Sequence, residues 1–163
     1  MGVSLEGLAV VPLETAYERA YEAHWPTVFR FALAWTNDWG AAEDVAQETF
    51  TRLWRNRSSV EWDRDVLPWL LVTARHLLTD RFRMLRRRLL RFTPPATLDE
   101  ATADRWLDVQ RAMSRLSALE RSALFLVALE GRDSTDAAHL MGTTPGAIRA
   151  AVSRARDKLE AHR

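Results

Sequence analysis

Apolar residues recur at helical spacing along this whole chain, with no convincing strand alternation, and nothing else in the sequence constrains its fold as much. Tyr17, Ala20 and Tyr21, then Val28, Phe29, Ala32 and Leu33, mark one face of a first helix. Thr15 with Glu18 has the spacing of a capping box that opens it, and Pro26 predicts a kink or break near Trp25. A turn at Asn37-Asp38-Trp39-Gly40 precedes a second helix over about Ala41–Asn56, burying Ala42, Val45, Ala46, Phe50, Leu53 and Trp54. A polar loop, Arg57–Val66, leads to Pro68 at the start of a third helix. Leu70, Leu71, Ala74, Leu77 and Leu78 share one face of that helix.

Phe92–Ala103, with Pro94-Pro95, has the composition of a linker. Beyond it lies a helical stretch containing Trp106, Leu107, Val109 and Met113. Ser117 with Glu120 is a second capping box, for a helix that ends at Gly131. Ser134 is placed to cap a short helix that stops at Gly142, and Thr144 to cap the last one, with Pro145 at its first position. The expected fold is all-α: two small helical domains, 13–91 and 113–163, joined by a linker at 92–112.

With 163 residues and 47% hydrophobic content, the chain has enough apolar material for packed cores. Each small domain would still be marginal alone, because little of its surface is buried. The absence of cysteine excludes disulfides, thiolate metal sites and a Cys nucleophile, and fits a cytoplasmic protein. His24, His76, His139 and His162 share no ligand spacing, and no catalytic triad or phosphate-binding glycine loop appears. The expectation is no catalytic residue, no metal and no cofactor. The first residues lack the basic start and long apolar core of a signal peptide, and no run approaches the ~20 apolar residues that span a bilayer.

A net charge of +1 conceals an uneven distribution. Arg81, Arg83, Arg86, Arg87, Arg88 and Arg91 fall close together without one acid among them, and Asp99, Glu100, Asp104 and Asp108 follow. Lys158 is the sole lysine, and arginine suits bidentate phosphate and guanine contacts better than lysine does. GC-rich coding produces the same preference, so placement carries more weight than identity.

Three segments carry function. Ser134–Leu159 has a short helix, a Gly-containing turn and a longer helix, the geometry of a helix-turn-helix. Ile148, Val152, Ala155 and Leu159 are spaced to pack inward, leaving Gly146, Arg149, Ala150, Ser153 and Arg156 outward. Such motifs read the major groove with the first residues of the second helix, which makes Arg149 the best candidate, with Ser153 beside it. The N–H groups around Thr144–Gly146 can hold a phosphate, and Arg154, Arg156 and Lys158 add non-specific attraction. In Pro68–Arg88, Trp69, His76, Phe82 and the arginines share one helix, so bases could stack while phosphates are neutralised. That mixture suits opened DNA better than intact duplex. On the second helix, Asp44, Gln47, Glu48, Thr51, Arg52 and Arg55 share the face away from Val45, Phe50 and Leu53. Taken alone this is a solvated face.

Together, AEDVAQETFTRLWR, WLLVTARHLLTDRFR and LSALERSALFLVALEG followed by STDAAHLMGTTPGAIRAAVSRARDKL resemble an extracytoplasmic-function (ECF) sigma factor of bacterial RNA polymerase. The resemblance covers about Tyr17–Arg88, sigma region 2, and Leu116–Leu159, region 4. It implies a transcription initiation factor rather than an enzyme, with core RNA polymerase and promoter DNA as partners. It implies that Asp44, Gln47, Glu48, Thr51, Arg52 and Arg55 dock on the polymerase clamp helices. The Arg57–Leu67 loop, with Trp62, falls where a flipped base of the −10 element is captured. Arg75, His76, Asp80, Arg81, Arg83, Arg86 and Arg87 fall where the −10 strand is held and melted. Thr144, Gly146, Arg149, Ser153 and Arg154 fall on the −35 element. An anti-sigma factor that covers both regions is a further implication.

This sequence departs from the family pattern at three places. His76 stands where the family usually has Asn, and Ala150-Ala151 where Ser and Arg are common. Asp133 replaces an apolar or small residue. The alanines predict −35 binding weaker by about 1–3 kcal/mol, the worth of one bidentate contact. A stand-alone helix-turn-helix regulator that binds duplex operator unaided, and an RNA- or single-strand-binding helical protein, are the rival readings; an enzyme is more distant.

Overall fold

The computed structural model describes residues 12–84, the helical backbone of 85–89, residue 108 and residues 111–161. The linker from 92 to 107, Val109, and the side chains of Arg86 and Arg87 lie outside the described residues. Among those described, every element is helical: α1 Leu13–Thr36, α2 Trp39–Arg55, α3 Leu67–Leu89, α4 Ala118–Leu124, a π-helical turn Phe125–Leu129, α5 Ser134–Met141 and α6 Pro145–Glu160.

α1 differs from expectation at its start and in its middle. It begins at Leu13 after Pro12, with no side-chain cap, so Thr15 and Glu18 sit inside the first turns rather than forming a capping box. It runs unbroken through Pro26 to Thr36. Its fully covered face is Ala20, Val28, Phe31, Ala32 and Trp35, while Phe29 and Leu33 are only half-buried. A Pro missing one amide bond is tolerated because neighbouring turns and packing on both other helices hold the helix together.

The turn to α2 is shorter than the sequence suggested. Asn37 takes the left-handed conformation (φ 48°) and Asp38 caps α2 by accepting from the Ala41 N–H at 2.6 Å; Trp39 and Gly40 are already helical. α2 buries Ala42, Val45, Ala46, Phe50 and Leu53 as expected but leaves Trp54 only half-buried, and it covers Thr49, whose hydroxyl donates to the Val45 carbonyl at 2.7 Å. α3 buries Leu70, Leu71, Ala74 and Leu78 against both. These three helices form the first module.

In the second module Ser117 and Glu120 make the expected capping box. The helix then widens: the Glu130 N–H reaches back to the Phe125 carbonyl at 3.0 Å, before Gly131 turns the chain with φ 66°. The cap of α5 is Asp133, not Ser134. Its carboxylate accepts from the Thr135 and Asp136 N–H groups, both at 2.8 Å. An acidic residue at that position therefore has a local reason, worth about 1 kcal/mol of helix stability. Gly142 (φ 61°) ends α5, and Thr144 caps α6 from the Ala147 N–H at 3.2 Å, as read.

The two modules pack directly on each other. One hydrophobic cluster runs from Phe31 and Trp35 of α1 through Phe125 and Leu126 to Ile148 and Val152 of α6. Phe31 meets Phe125 edge-on with centroids 5.2 Å apart. At the rim, the Arg30 guanidinium donates twice to the Glu130 carboxylate, at 2.9 and 3.1 Å.

Candidate nucleic-acid interface

Helical geometry distributes the candidates of α2 and α3 over distinct surfaces. On α2, Asp44, Gln47, Arg52 and Arg55 are exposed, and Glu48 and Thr51 half-buried, on the face opposite the core. Glu48 holds Arg52 at 2.9 Å one turn on. Facing this stripe, Leu77, Arg81 and Met84 of α3 recur at helical spacing, and Arg81 pairs with Asp44 at 3.5 Å. Between the helices lies a groove of about 500 Å³ with Asp44, Glu48 and Asp80 at its sides and Leu77 and Met84 as apolar wall. Met84 is among the most exposed large hydrophobic residues, and sequence reading missed it because one apolar residue among arginines gives no periodic signal.

The five described candidates on α3 do not share one surface. Arg81 turns towards α2, His76 is exposed, and Arg83 lines a cavity on the other side of the helix, pairing loosely with Asp80 at 3.9 Å. Arg75 is half-buried, and its backbone carbonyl accepts from Thr79 at 2.7 Å. Phe82, expected as a stacking platform, is covered: the Arg121 guanidinium lies 3.7 Å above its ring. Trp69 stays partly open at the start of the helix.

The Arg57–Val66 loop closes a second cleft of about 500 Å³ against α1. The Trp62 Nε1–H is spent on the Arg57 carbonyl at 2.8 Å, leaving its ring rather than its donor to a ligand. Asp65 caps α3 by accepting from the Leu67 N–H at 2.9 Å and stands 3.6 Å from the His24 Nε2. Burial pushes His24 below its usual value, and Asp65 offsets part of this, so the ring is neutral at physiological pH. The α1 residues Arg19 and His24, which face this cleft, were not among the sequence candidates. Nothing in the local pattern of α1 links it to a loop some forty positions away.

In the second module the inward set is as read: Ile148, Val152 and Ala155 are buried and Leu159 half-buried. Gly146, Arg149, Ala150, Ser153 and Arg156 are exposed. Arg149 donates to the Ser134 hydroxyl at 3.1 Å, which ties the start of α5 to the outer face of α6. Ala151, by contrast, is completely buried, so an arginine there would not reach DNA from this backbone. Only the Ala150 departure lies on the open face. Arg154 and Lys158 are committed to the Glu120 carboxylate, at 3.3 and 2.7 Å.

Burial alone would raise the Glu120 carboxyl. Hydrogen bonds from Lys158, the Ser117 N–H and Arg154 outweigh this and hold it below the ordinary carboxylate range. A depressed folded value means that its stabilising contribution is complete above the unfolded value and is lost as pH falls below about 4.5 through the folded one. Glu120→Gln should therefore flatten the Tm-against-pH curve below pH ~4.5 while lowering Tm at pH 7. An unchanged acid limb in a thermal melt series would remove Glu120 from this role.

Comparison with known proteins agrees with the segment order. The sigma-70 region 2 model matches residues 20–88 and the sigma-70 region 4 model matches 106–159. A probable RNA polymerase sigma factor, RfaY of Xanthomonas campestris, is 34% identical over 161 residues, covering 91% of this chain and 40% of that protein. The ECF RNA polymerase sigma factor SigC of Mycobacterium tuberculosis is 33% identical over 157 residues, covering 88% of this chain and 81% of its own length. Of solved structures, the sigma factor RpoE bound to the anti-sigma factor NepR from Bartonella quintana has a TM-score of 0.62 at 24% identity, covering 90% of this chain and 95% of that one. CnrH in complex with the cytosolic domain of CnrY has a TM-score of 0.66 at 22% identity, covering 91% and 87%. These two likenesses concern the fold. A stand-alone regulator would need only the second match. With both regions present in order and relatives spanning nearly the whole chain, this protein belongs to the sigma-70 family, as an extracytoplasmic-function RNA polymerase sigma factor.

Proposed function

We propose that the α2 stripe and the groove beside it are the docking surface for core RNA polymerase, and that α3 continues from that surface onto the −10 strand. The observation that carries this is the Asp44–Arg81 pair at 3.5 Å, which joins the acidic-amide face of one helix to the arginine helix beside it. The groove offers a partner helix an apolar wall, Leu77 and Met84, within a mostly acidic rim. That combination suits a helix bearing apolar anchors and basic flanks. The Trp62 cleft takes an extruded −10 base, and the exposed start of α6 reads the −35 element through Arg149 and Ser153. Thr144, Gly146 and Arg154 belong to the same surface, with Arg154 acting through its neutralisation of Glu120 more than through DNA.

The protein itself performs no bond chemistry in this reading. It lends promoter recognition and strand opening to the polymerase, in the cytoplasm, where both partners are found. No described helix is long and apolar enough to cross a membrane. An anti-sigma factor of the kind seen with the two structural neighbours would compete for the same α2 and α3 surfaces.

Reconstituted run-off transcription with core polymerase tests the docking surface. A Gln47→Ala, Glu48→Ala double variant should lose roughly tenfold activity at limiting sigma concentration, as expected for a central interface position. Its Tm should stay within a degree or two, since both residues lie outside the core. Full activity would refute the assignment.

A further inference from the structure

The second module lies against the part of α3 that the reading above gives to the −10 strand. α5 and α4 pack on that helix, beside the core in which Phe31 of α1 meets Phe125. Thr79 and Phe82 are half-buried there, and with Arg83 they share one concave wall with Leu116, Ser117 and Ala118 of the second module. The outer face of α6, with Arg149 and Ser153, stays exposed. The contact between modules therefore covers one proposed DNA surface and leaves the other open.

Arg121 makes this covering specific. It is only 7% exposed, with its guanidinium 3.7 Å from the centre of the Phe82 ring and 4.5 Å from that of Trp35. A planar cation over an aromatic face takes the place at which a nucleobase would stack. Its polar partner is the Leu116 carbonyl, which accepts from Nε at 3.2 Å and Nη2 at 2.7 Å. Arg121 Nη1 and Trp35 Nε1 are buried donors without an acceptor, and the neighbouring carboxylate, Glu120, is engaged by Lys158 and Arg154. Unsatisfied donors and a buried cation lacking its own counter-charge are costly, and separating the modules returns them to water. The contact is thus closed yet poised for release.

We propose that the second module inhibits the first in cis: Arg121 covers the Phe82 ring as a stacked base would, and the Arg30–Glu130 pair and the Phe31–Phe125 contact hold the modules closed until promoter engagement parts them. The proposal rests on the reading of α3 as the −10 strand track. Distance supports it independently. Elements named −10 and −35 lie about 25 base pairs apart, roughly 85 Å of duplex. A packed chain of this size is roughly 40 Å across, so modules in contact cannot serve both elements. The 92–112 linker reaches at most about 70 Å, enough to let them part. Free protein then binds a single strand only through its open fraction, and its apparent affinity falls by that fraction.

Fluorescence anisotropy of the full chain with a labelled, random-sequence single strand of about a dozen nucleotides reads the inhibition. Arg30→Glu sets two carboxylates face to face at the rim and makes the protein more acidic, so charge alone would weaken binding to a polyanion. Cis inhibition predicts the opposite, roughly three- to tenfold tighter binding, because the open fraction rises. Adding Glu130→Arg re-forms the pair with its charges exchanged and should return affinity to the wild-type level. Phe82→Ala in the Arg30→Glu background should abolish the gain. A lock supplies the second measurement. The chain has no cysteine, so Arg30→Cys with Glu130→Cys can be joined by a reducible bismaleimide bridge. The bridged chain should bind the strand several-fold more weakly than the same chain after reduction. Weaker binding by Arg30→Glu, together with equal binding before and after reduction, overturns cis inhibition. Strand binding that Phe82→Ala leaves unchanged in every background removes the α3 track itself, and the inhibition with it.

Discussion

Phe31→Ala should cost about 3–5 kcal/mol and lower Tm by roughly 6–20 °C. Phe31 is completely buried, and its ring contacts Trp35 of its own helix (6.0 Å) and Phe125 of the second module (5.2 Å). Removing it deletes the transfer energy of a benzyl group and leaves a void bounded by two rigid aromatic rings, which collapse poorly. The void lies at the contact between modules, so the cheapest relaxation is to separate them. The variant should therefore also lose cooperativity and show two calorimetric transitions, against one expected for the wild type. Phe31→Leu, which keeps most of the volume, should lose far less and remain single-step. A drop below about 1 kcal/mol with one sharp transition would mean that the ring is not held between the modules in solution.

Phe31 also marks where sequence reading stopped. The period of 3.6 placed every described helix, and the inward set of α6 was legible because Ile148, Val152, Ala155 and Leu159 obey one uninterrupted stripe. In α1 the apolar stripe reads as Val28, Phe29, Ala32 and Leu33, of which Val28 and Ala32 are buried and Phe29 and Leu33 only half-buried. The covered face is centred on Val28, Phe31, Ala32 and Trp35, at i, i+3, i+4 and i+7, which brings Phe31 and Trp35 inward. Capping was read correctly where Ser117, Thr144 and Gly142 matched known geometry. It differs at the start of α1, where Thr15 and Glu18 form no capping box, and at α5, where Asp133 rather than Ser134 is the cap and accepts from the Thr135 and Asp136 N–H groups. What no local pattern could give is the contact between modules. Arg121 sits in an ordinary amphipathic stretch, and its rings lie on two other helices, Trp35 and Phe82, 86 and 39 positions away. The α2 stripe was legible as a face, and the groove became visible only once Leu77, Arg81 and Met84 were placed beside it. The His24 and Arg19 wall of the loop cleft belongs to the same long-range class.

Arg149→Ala should weaken recognition of −35 duplex by about 1–3 kcal/mol, or roughly 5–150-fold, and relax preference at one base pair. The side chain leaves α6 in its second turn, on the open face, where a helix-turn-helix presents its reading residues. Its tie to the Ser134 hydroxyl at 3.1 Å limits the rotamers it samples before binding, which reduces the entropy lost on contact. Arg149→Lys should recover little, because a lysine cannot make the paired contact to guanine O6 and N7. Arg154→Ala should matter less for DNA, since that guanidinium is engaged by Glu120 and its loss is felt first in the packing of α4 on α6. Transcription from promoters varied base by base across the −35 element, with each variant in the assembled holoenzyme, separates these outcomes. A loss spread evenly over all −35 sequences, with the salt slope reduced by about one, would make Arg149 a phosphate contact instead. The buried Ala151 then bears on the result. With that side chain in the core, base reading must come from Arg149, Ser153 and whatever Ala150 leaves open. Restoring a longer polar residue at 150 should strengthen binding, whereas an arginine at 151 should unfold the motif.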